Sequence, residues 1–305
     1  MNNITEQLLE AVSDFNGEFK GAYNIRENSQ CAGRKSSEHI KIEDKADGTG
    51  IEIHIASEAQ GETVFIPACV TKGNVDDRVY NDFFVGAGAD VIIVAGCGVH
   101  TNDGHDARHS GIHRFFLGEN SHVVYREKHL GTGKGRGKKK IDPVTDIRLE
   151  EGAVLEMDTV QIGGVDTSIR KTSAVVGKDA KLIIHERLMT DEDERAESDF
   201  FVVMEGDGSA VDLNSRSVAK GESYQSYRSR IEGNCACTGH SACDAILIGN
   251  GKVNAVPELF AGHLDASLIH EAAIGKIAGE QLIKLQTLGL TAQEAEEKIV
   301  EGFLK

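Results

Sequence analysis

The chain has 305 residues, no tryptophan, three prolines against 34 glycines, and 33 basic against 49 acidic side chains, for a formal net charge of −16. That acidity excludes nucleic acid and anionic membrane as principal partners, since both require a basic footprint. The length allows one elongated domain or two compact ones, and low proline with abundant aperiodic glycine fits an ordered fold rich in tight turns.

No apolar run reaches the length of a membrane span, and Met1–Lys20 is polar and acidic rather than signal-like. A cytoplasmic protein is expected. In that reducing compartment Cys31, Cys69, Cys97, Cys235, Cys237 and Cys243 read as free, metal-binding or reactive thiols rather than as disulfides.

Residues 4–20 place Ile4, Leu8, Leu9 and Val12 at helical spacing, so a short helix is predicted within an N-terminal helical segment, residues 1–25. From 26 to 268 another pattern takes over. An apolar residue and two variable ones precede a turn pair (Gly, Asn or Asp, then a small residue), and an apolar strand follows. It occurs as Val85–Ile93 (VGAGADVII), Leu117–Tyr125 (LGENSHVVY), Leu149–Met157 (LEEGAVLEM), Val176–Ile184 (VGKDAKLII) and Met204–Asp212 (MEGDGSAVD), with starts 32, 32, 27 and 28 residues apart. Asp265–His270 (DASLIH) echoes Asp179–Ile184. Self-similarity at this period denotes a repeat architecture, and short β-branched strands between Gly, Asn and Asp turns denote strands rather than helix pairs. One such unit cannot hide its apolar face alone, but stacked units can. A β-sandwich would turn every 8–12 residues without this longer period, so a β-helix core, residues 26–268, is the expected fold.

Four stretches carry ligand-type side chains. Cys97–His113 (CGVHTNDGHDARHSGIH) holds Cys97, His100, His105, His109 and His113, but Gly98, Gly104 and Gly111 make it read as a loop whose histidines bond to backbone. Gly131–Lys140 (GTGKGRGKKK) lacks the glycine spacing, the closing Ser or Thr and the following helix of a phosphate loop, and reads as a solvated basic loop. Gly233–Gly249 brings Cys235, Cys237, His240 and Cys243 within nine residues; soft thiolates suit iron–sulfur clusters, zinc or copper(I), and the spacing is not that of a zinc ribbon. Buried small core cysteines are the alternative. His270 and Glu271 sit where the last strand is expected to meet the C-terminal helices; they are either a ligand pair or a carboxylate at a helix start.

The remaining residues, 269–305, read as a C-terminal helical segment. Ile274, Ile277, Leu282, Leu285 and Leu288 share one face, Gly289 stops the helix, and Thr291-x-x-Glu294 is a capping box that opens a second helix through Phe303. On residues alone a metal or sulfur scaffold, a structural solenoid and a β-helical carbohydrate-active enzyme remain open. A chain with 5% aromatics and no tryptophan is poorly equipped for sugar stacking.

The runs RSRIEGNC, CDAILIG, AVPELFA, LIHEAAIGKIAGEQLIKLQTLGL and EAEEKIVEGFL, spread over Arg228–Leu304, resemble the SufB/SufD family, the scaffold subunits of the SUF iron–sulfur cluster assembly machinery. Glu156–Gln161 (EMDTVQ) is similar to the family's strand ending in Thr-Val-Gln, and the likeness covers residues 80–305 of what looks like a short, minimal member. The resemblance implies a right-handed parallel β-helix with helical ends that carries an iron–sulfur cluster transiently and is not itself an enzyme. It also implies a second SufB/SufD-type subunit, identical or not, a SufC-like ABC ATPase docked on the C-terminal helices, and a cysteine desulfurase or other sulfur donor. The family's ligand Cys, in a stretch ending Val-Pro, falls at Gly251 here, next to Ala255-Val256-Pro257, so that thiol is absent; the His and Glu of its second ligand stretch match His270-Glu271-Ala272-Ala273. The expected ligand set is therefore Cys235, Cys237, His240, Cys243, His270 and Glu271.

Overall fold

A computed structural model describes residues 2–305. Inward apolar and outward polar side chains alternate at the two-residue period of a strand from Ala22 to Lys276. Two antiparallel hairpins come first, β1 (Ala22–Glu27) with β2 (Gln30–Lys35) and β3 (Ile40–Asp44) with β4 (Gly50–Ile55). The strands β5 (Gln60–Val70), β6 (Val75–Val85), β7 (Asp90–His100), β8 (Ala107–Leu117) and β9 (His122–Thr132) follow. Next are the short β10 (Lys139–Ile141) and β11 (Val144–Leu149), then β12 (Val154–Ile162), β13 (Thr167–Val176), β14 (Lys181–Thr190) and β15 (Arg195–Met204). The series ends with β16 (Ala210–Ala219), β17 (Tyr224–Gly233), β18 (Thr238–Leu247), β19 (Lys252–Ala261) and β20 (Ser267–Lys276).

These strands form two ten-stranded sheets. Sheet A runs β2-β1-β5-β7-β9-β12-β14-β16-β18-β20; sheet B runs β19-β17-β15-β13-β10-β8-β6-β4-β3, with β11 also between β13 and β8. Each turn of chain supplies one strand to each sheet, all in parallel beyond the hairpins, so the fold is the expected β-solenoid. The sequence repeat is its register. Val85 pairs with Leu117, Leu117 with Leu149, Leu149 with Val176 and Val176 with Met204, so the five copies stack directly. The turn residue of each copy (Gly88, Asn120, Gly152, Asp179, Gly208) has positive φ, between 54° and 76°. The small residue after it (Ala89, Ser121, Ala153, Ala180, Ser209) is buried in the corner.

Helix α1 (Asn3–Ser13) is capped by the Asn2 side chain and stops at Asp14, in left-handed conformation, short of the predicted 20. It lays Leu8, Leu9 and Val12 on the outer face of sheet A. Gly96 and Gly98 of β7 make the seat: a Cβ at Gly96 would lie 2.3 Å from the Val12 carbonyl oxygen, and one at Gly98 2.9 Å from Leu8 Cδ2.

At the other end β20 runs on to Lys276, paired residue for residue with β18, so helix α2 (Gly279–Thr287) begins ten residues later than the expected 269. Ile274, read as helical, lies on the strand; the ladder to β18 overrides its helix-like spacing. Gly289 (φ 97°) ends the turn, and the Thr291–Glu294 capping box opens helix α3 (Ala292–Phe303) as predicted. No helix among the described residues is long and apolar enough to cross a membrane.

Two of the ligand-rich stretches also depart from expectation. Cys97–His113 is strand at both ends, and only residues 101–106 form a loop. Residues 131–137 are a tightly stacked segment rather than a solvated loop. A Cβ at Gly133, Gly135 or Gly137 would come within 2.1, 2.4 and 1.9 Å of the carbonyl oxygens of Thr101, Asp103 and His105 one turn earlier, which is why every second residue is glycine. Lys139 and Lys140 are paired with Asp166 (3.1 Å) and Asp106 (2.7 Å).

Candidate functional site

The solenoid ends in an uncovered turn. Strands β19 and β20 form the C-terminal edges of the two sheets and expose Val256, Leu259, Phe260, Ile269 and Ile274. Alternation along β18 and β20 sorts the expected ligands onto different faces. Ser241 and Cys243 of β18 point inward; His270 pairs with Ser241 and Ala272 with Cys243, so His270 and Cys243 share the inner face of neighbouring strands, two positions apart. His270 is half-buried, and its Nδ1 is buried without a hydrogen-bond partner. Cys243 is buried, and desolvation, followed by the negative fields of Glu186 and Asp244, pushes its thiol up to about 12.

His240 and Glu271 lie on the outer face. The His240 ring meets Asp212 through Nδ1 at 2.9 Å and approaches Glu271 with Nε2 at 4.0 Å. Cys235 and Cys237 occupy the corner between β17 and β18 and belong to the apolar core. The Cys235 thiol donates to the Gly206 carbonyl at 3.1 Å, and burial together with the adjacent Cys235 pushes Cys237 up to about 11. Thus the six residues divide into an inner pair (Cys243, His270), an outer pair (His240, Glu271) and a corner pair (Cys235, Cys237). Among the described residues no three His, Cys, Asp or Glu side chains converge on one metal position.

A further set of buried polar groups reaches this end from inside, and apart from His109 and His113 sequence reading missed it. Much of the interior is apolar, built on rows such as Phe83, Phe115, Ile147, Ala174 and Val202, but another part of it carries charges. Arg26 holds Asp77 (Nη2 to Oδ1, 2.7 Å), which accepts from His109 Nδ1 at 3.0 Å. His113 donates from Nδ1 to the Tyr125 hydroxyl (3.1 Å), which donates to Glu127 (2.8 Å), and Asn81 donates to His113 Nε2 (3.4 Å). Glu127 also accepts from His129 (3.3 Å) and from Arg170 (2.7 Å), and Arg170 stands 3.5 Å from Glu186, which accepts from Ser198 and Ser215. In register, Glu127, Thr159, Glu186, Ser215 and Cys243 form one inward row along sheet A.

Burial opposes the charge of Asp77 and Glu127, but their hydrogen-bonding and electrostatic partners outweigh it: His109 and Arg26 hold Asp77 low, and His129 and Arg170 hold Glu127 well below the usual carboxylate range. Burial brings His113 down to about 4 against the pull of Glu127. The signal for this row was present as charged residues of one parity in otherwise alternating strands. It becomes readable only once that parity is known to face inward.

Comparison with known proteins fits this architecture. The family model described as "SUF system FeS cluster assembly, SufBD core domain" matches residues 80–303. An iron–sulfur cluster assembly SufBD family protein of Archaeoglobus fulgidus is 29% identical over 89% of this chain and 72% of its own length. One from Methanothermobacter thermautotrophicus is 28% identical over 82% of this chain and 61% of its own length, and one from Methanocaldococcus jannaschii 25% identical over 77% and 74%. The matched region spans nearly the whole solenoid from β6 onward and both C-terminal helices, and on that ground the chain belongs to the SufBD family of iron–sulfur cluster assembly proteins.

Proposed function

We propose that this chain is a cytoplasmic scaffold on which iron and sulfide are assembled into a cluster and from which the cluster is passed on, and that it hydrolyses nothing itself. The observation that carries the proposal is the uncovered last turn, where His270 offers an unpartnered ring nitrogen beside the inward thiol of Cys243. Imidazole and thiolate are suitable ligands for iron, which here is cargo rather than a resident cofactor. One subunit supplies too few converging ligands, so a second SufB/SufD-type subunit on the same end completes the site, with Glu271 and His240 at the boundary. A thiol raised to about 12 must be exposed before it binds metal. ATP hydrolysis by an ABC-type ATPase docked on α2 and α3 would supply that opening, and a cysteine desulfurase or similar donor the sulfur.

Anaerobic reconstitution with iron and sulfide, followed by absorption spectroscopy, tests the reading. His270→Ala and Cys243→Ser should each lose the charge-transfer bands, and Cys97→Ser/His109→Ala should keep them. The reverse result would move the site to the middle of the solenoid. A Cys235→Ser/Cys237→Ser variant decides whether the corner thiols take part. Removal of residues 291–305 should abolish co-purification with the ATPase while the strand-dominated circular dichroism remains; survival of the complex would place the docking surface elsewhere.

A further inference from the structure

Although the chain is strongly acidic, the outer face of sheet A gathers arginines at its centre. Arg126, Asp158, His185 and Asn214 form one in-register row across β9, β12, β14 and β16. Two residues further along the strands, Val160, Arg187 and Arg216 form the next. Strands lie about 4.8 Å apart, so these side chains ring a small area. They border a groove of about 480 Å³, floored by Val124 and Ile183 and flanked by Lys305. That is within the ~300–1,000 Å³ range of small-molecule clefts.

The cations in the groove are incompletely balanced. Its two outward carboxylates are engaged, Glu156 with His122 at 3.2 Å and Asp158 with Arg187. Arg126, His185, Asn214 and Arg216 have no hydrogen-bond or ion-pair partner among the described residues. Arg187 and Arg216 are direct cross-strand neighbours, an arrangement that like charge disfavours, and the Arg187 Nε–H is buried without an acceptor. An anion seated between them would relieve the repulsion and accept from the guanidinium forks, whose geometry matches phosphate oxygens.

We propose that this groove binds a small anion bearing a diphosphate or longer phosphate chain, held by Arg126, Arg187 and Arg216, with His185 and Asn214 as further donors. The apolar floor favours an ester whose organic part covers Val124 and Ile183 over the bare inorganic anion. The site lies on the opposite side of sheet A from the buried Glu127–Arg170–Glu186 chain and does not depend on the role of His270.

Calorimetric titration of the full chain at low ionic strength, with inorganic pyrophosphate and separately with ATP, tests this. Saturable one-to-one binding is expected, weakened about tenfold or more in Arg126→Ala/Arg216→Ala and unchanged in Arg148→Ala on sheet B. All three proteins should melt alike, because the substituted side chains are exposed. Tighter binding of ATP supports the site with an ester as its ligand; equal binding supports the phosphate-chain site but overturns the part given to the apolar floor. It is overturned if neither anion binds saturably or if the double variant binds like the parent. Binding of a hexaglutamate peptide without either phosphate would also overturn it, by making the groove a protein-docking surface.

Discussion

Glu127 is buried, and its charge is held by the Arg170 guanidinium, the Tyr125 hydroxyl and the His129 ring. Removing one member of such a buried pair leaves the other uncompensated, at ~3–5 kcal/mol. Glu127→Gln is therefore expected to lower the free energy of urea unfolding by about that amount; a loss below 1 kcal/mol would mean that water reaches Arg170. His113 acts through proton linkage instead. Its folded pKa of about 4 lies below the ordinary 6.5, so the unfolded chain takes up a proton below pH 6.5 that the folded chain refuses until about pH 4. Stability contributed by the neutral ring is thus present above pH 6.5 and lost as the pH falls from 6.5 towards 4, by about 3 kcal/mol in all. His113→Asn should flatten the pH dependence of the urea midpoint across that window, and an unchanged slope would assign it to another group. Asp77 and Glu127, both held low, give way only at more acid pH. At this scale the sequence was informative about residue type and poor about direction. Cys235, Cys237, His240 and Cys243 are close along the chain, yet strand parity sends His240 outward and Cys243 inward, and the turn sends the other two into a corner.

Helix α1 shows what an element needs beyond its own periodicity. Its buried positions Leu8, Leu9 and Val12 were readable from spacing, but its seat on Gly96 and Gly98 depends on a strand some 80 residues away. Gly96→Val places side-chain atoms where the Val12 carbonyl lies, so α1 should lift while the two sheets persist. Hydrogen exchange should then accelerate across residues 3–13 and leave β12–β18 protected; uniform acceleration would show instead that the helix is integral to the whole stack. The same dependence explains the C-terminal boundary. The apolar spacing of Ile274 and Ile277 fits a helix locally, but ten consecutive pairings with β18 decide in favour of the strand, whereas the Thr291–Glu294 box depends only on its own four residues and was read correctly.

On the scale of the whole molecule, a solenoid must protect both ends of its stack, because terminal strands offer unpaired backbone groups and an uncovered apolar layer. The N-terminal end meets that need itself: the β1–β2 and β3–β4 hairpins turn the chain antiparallel and close both sheets. The repeat was legible because parallel register forces equivalent residues to recur at each turn, and the buried charges were not, because nothing in one strand says which parity faces the lumen. The C-terminal end has no closing hairpin. Phe260 of β19 is 56% exposed, Ile269 and Ile274 of β20 are 54% and 40% exposed, and α2 buries none of its own residues. A second subunit placed there would cover these side chains and pair the strand edges. Phe260→Glu/Ile269→Glu puts two charges on outward-facing positions of that last turn without touching the interior of the stack. Sedimentation velocity should then show a dimer for the parent and a monomer for the variant, with identical circular dichroism. Reconstituted iron should fall together with the dimer, since one subunit brings only Cys243 and His270 to the inner face. A parent that stays monomeric at high concentration would leave the end to a different partner subunit, and a variant that still pairs would place the contact on another face.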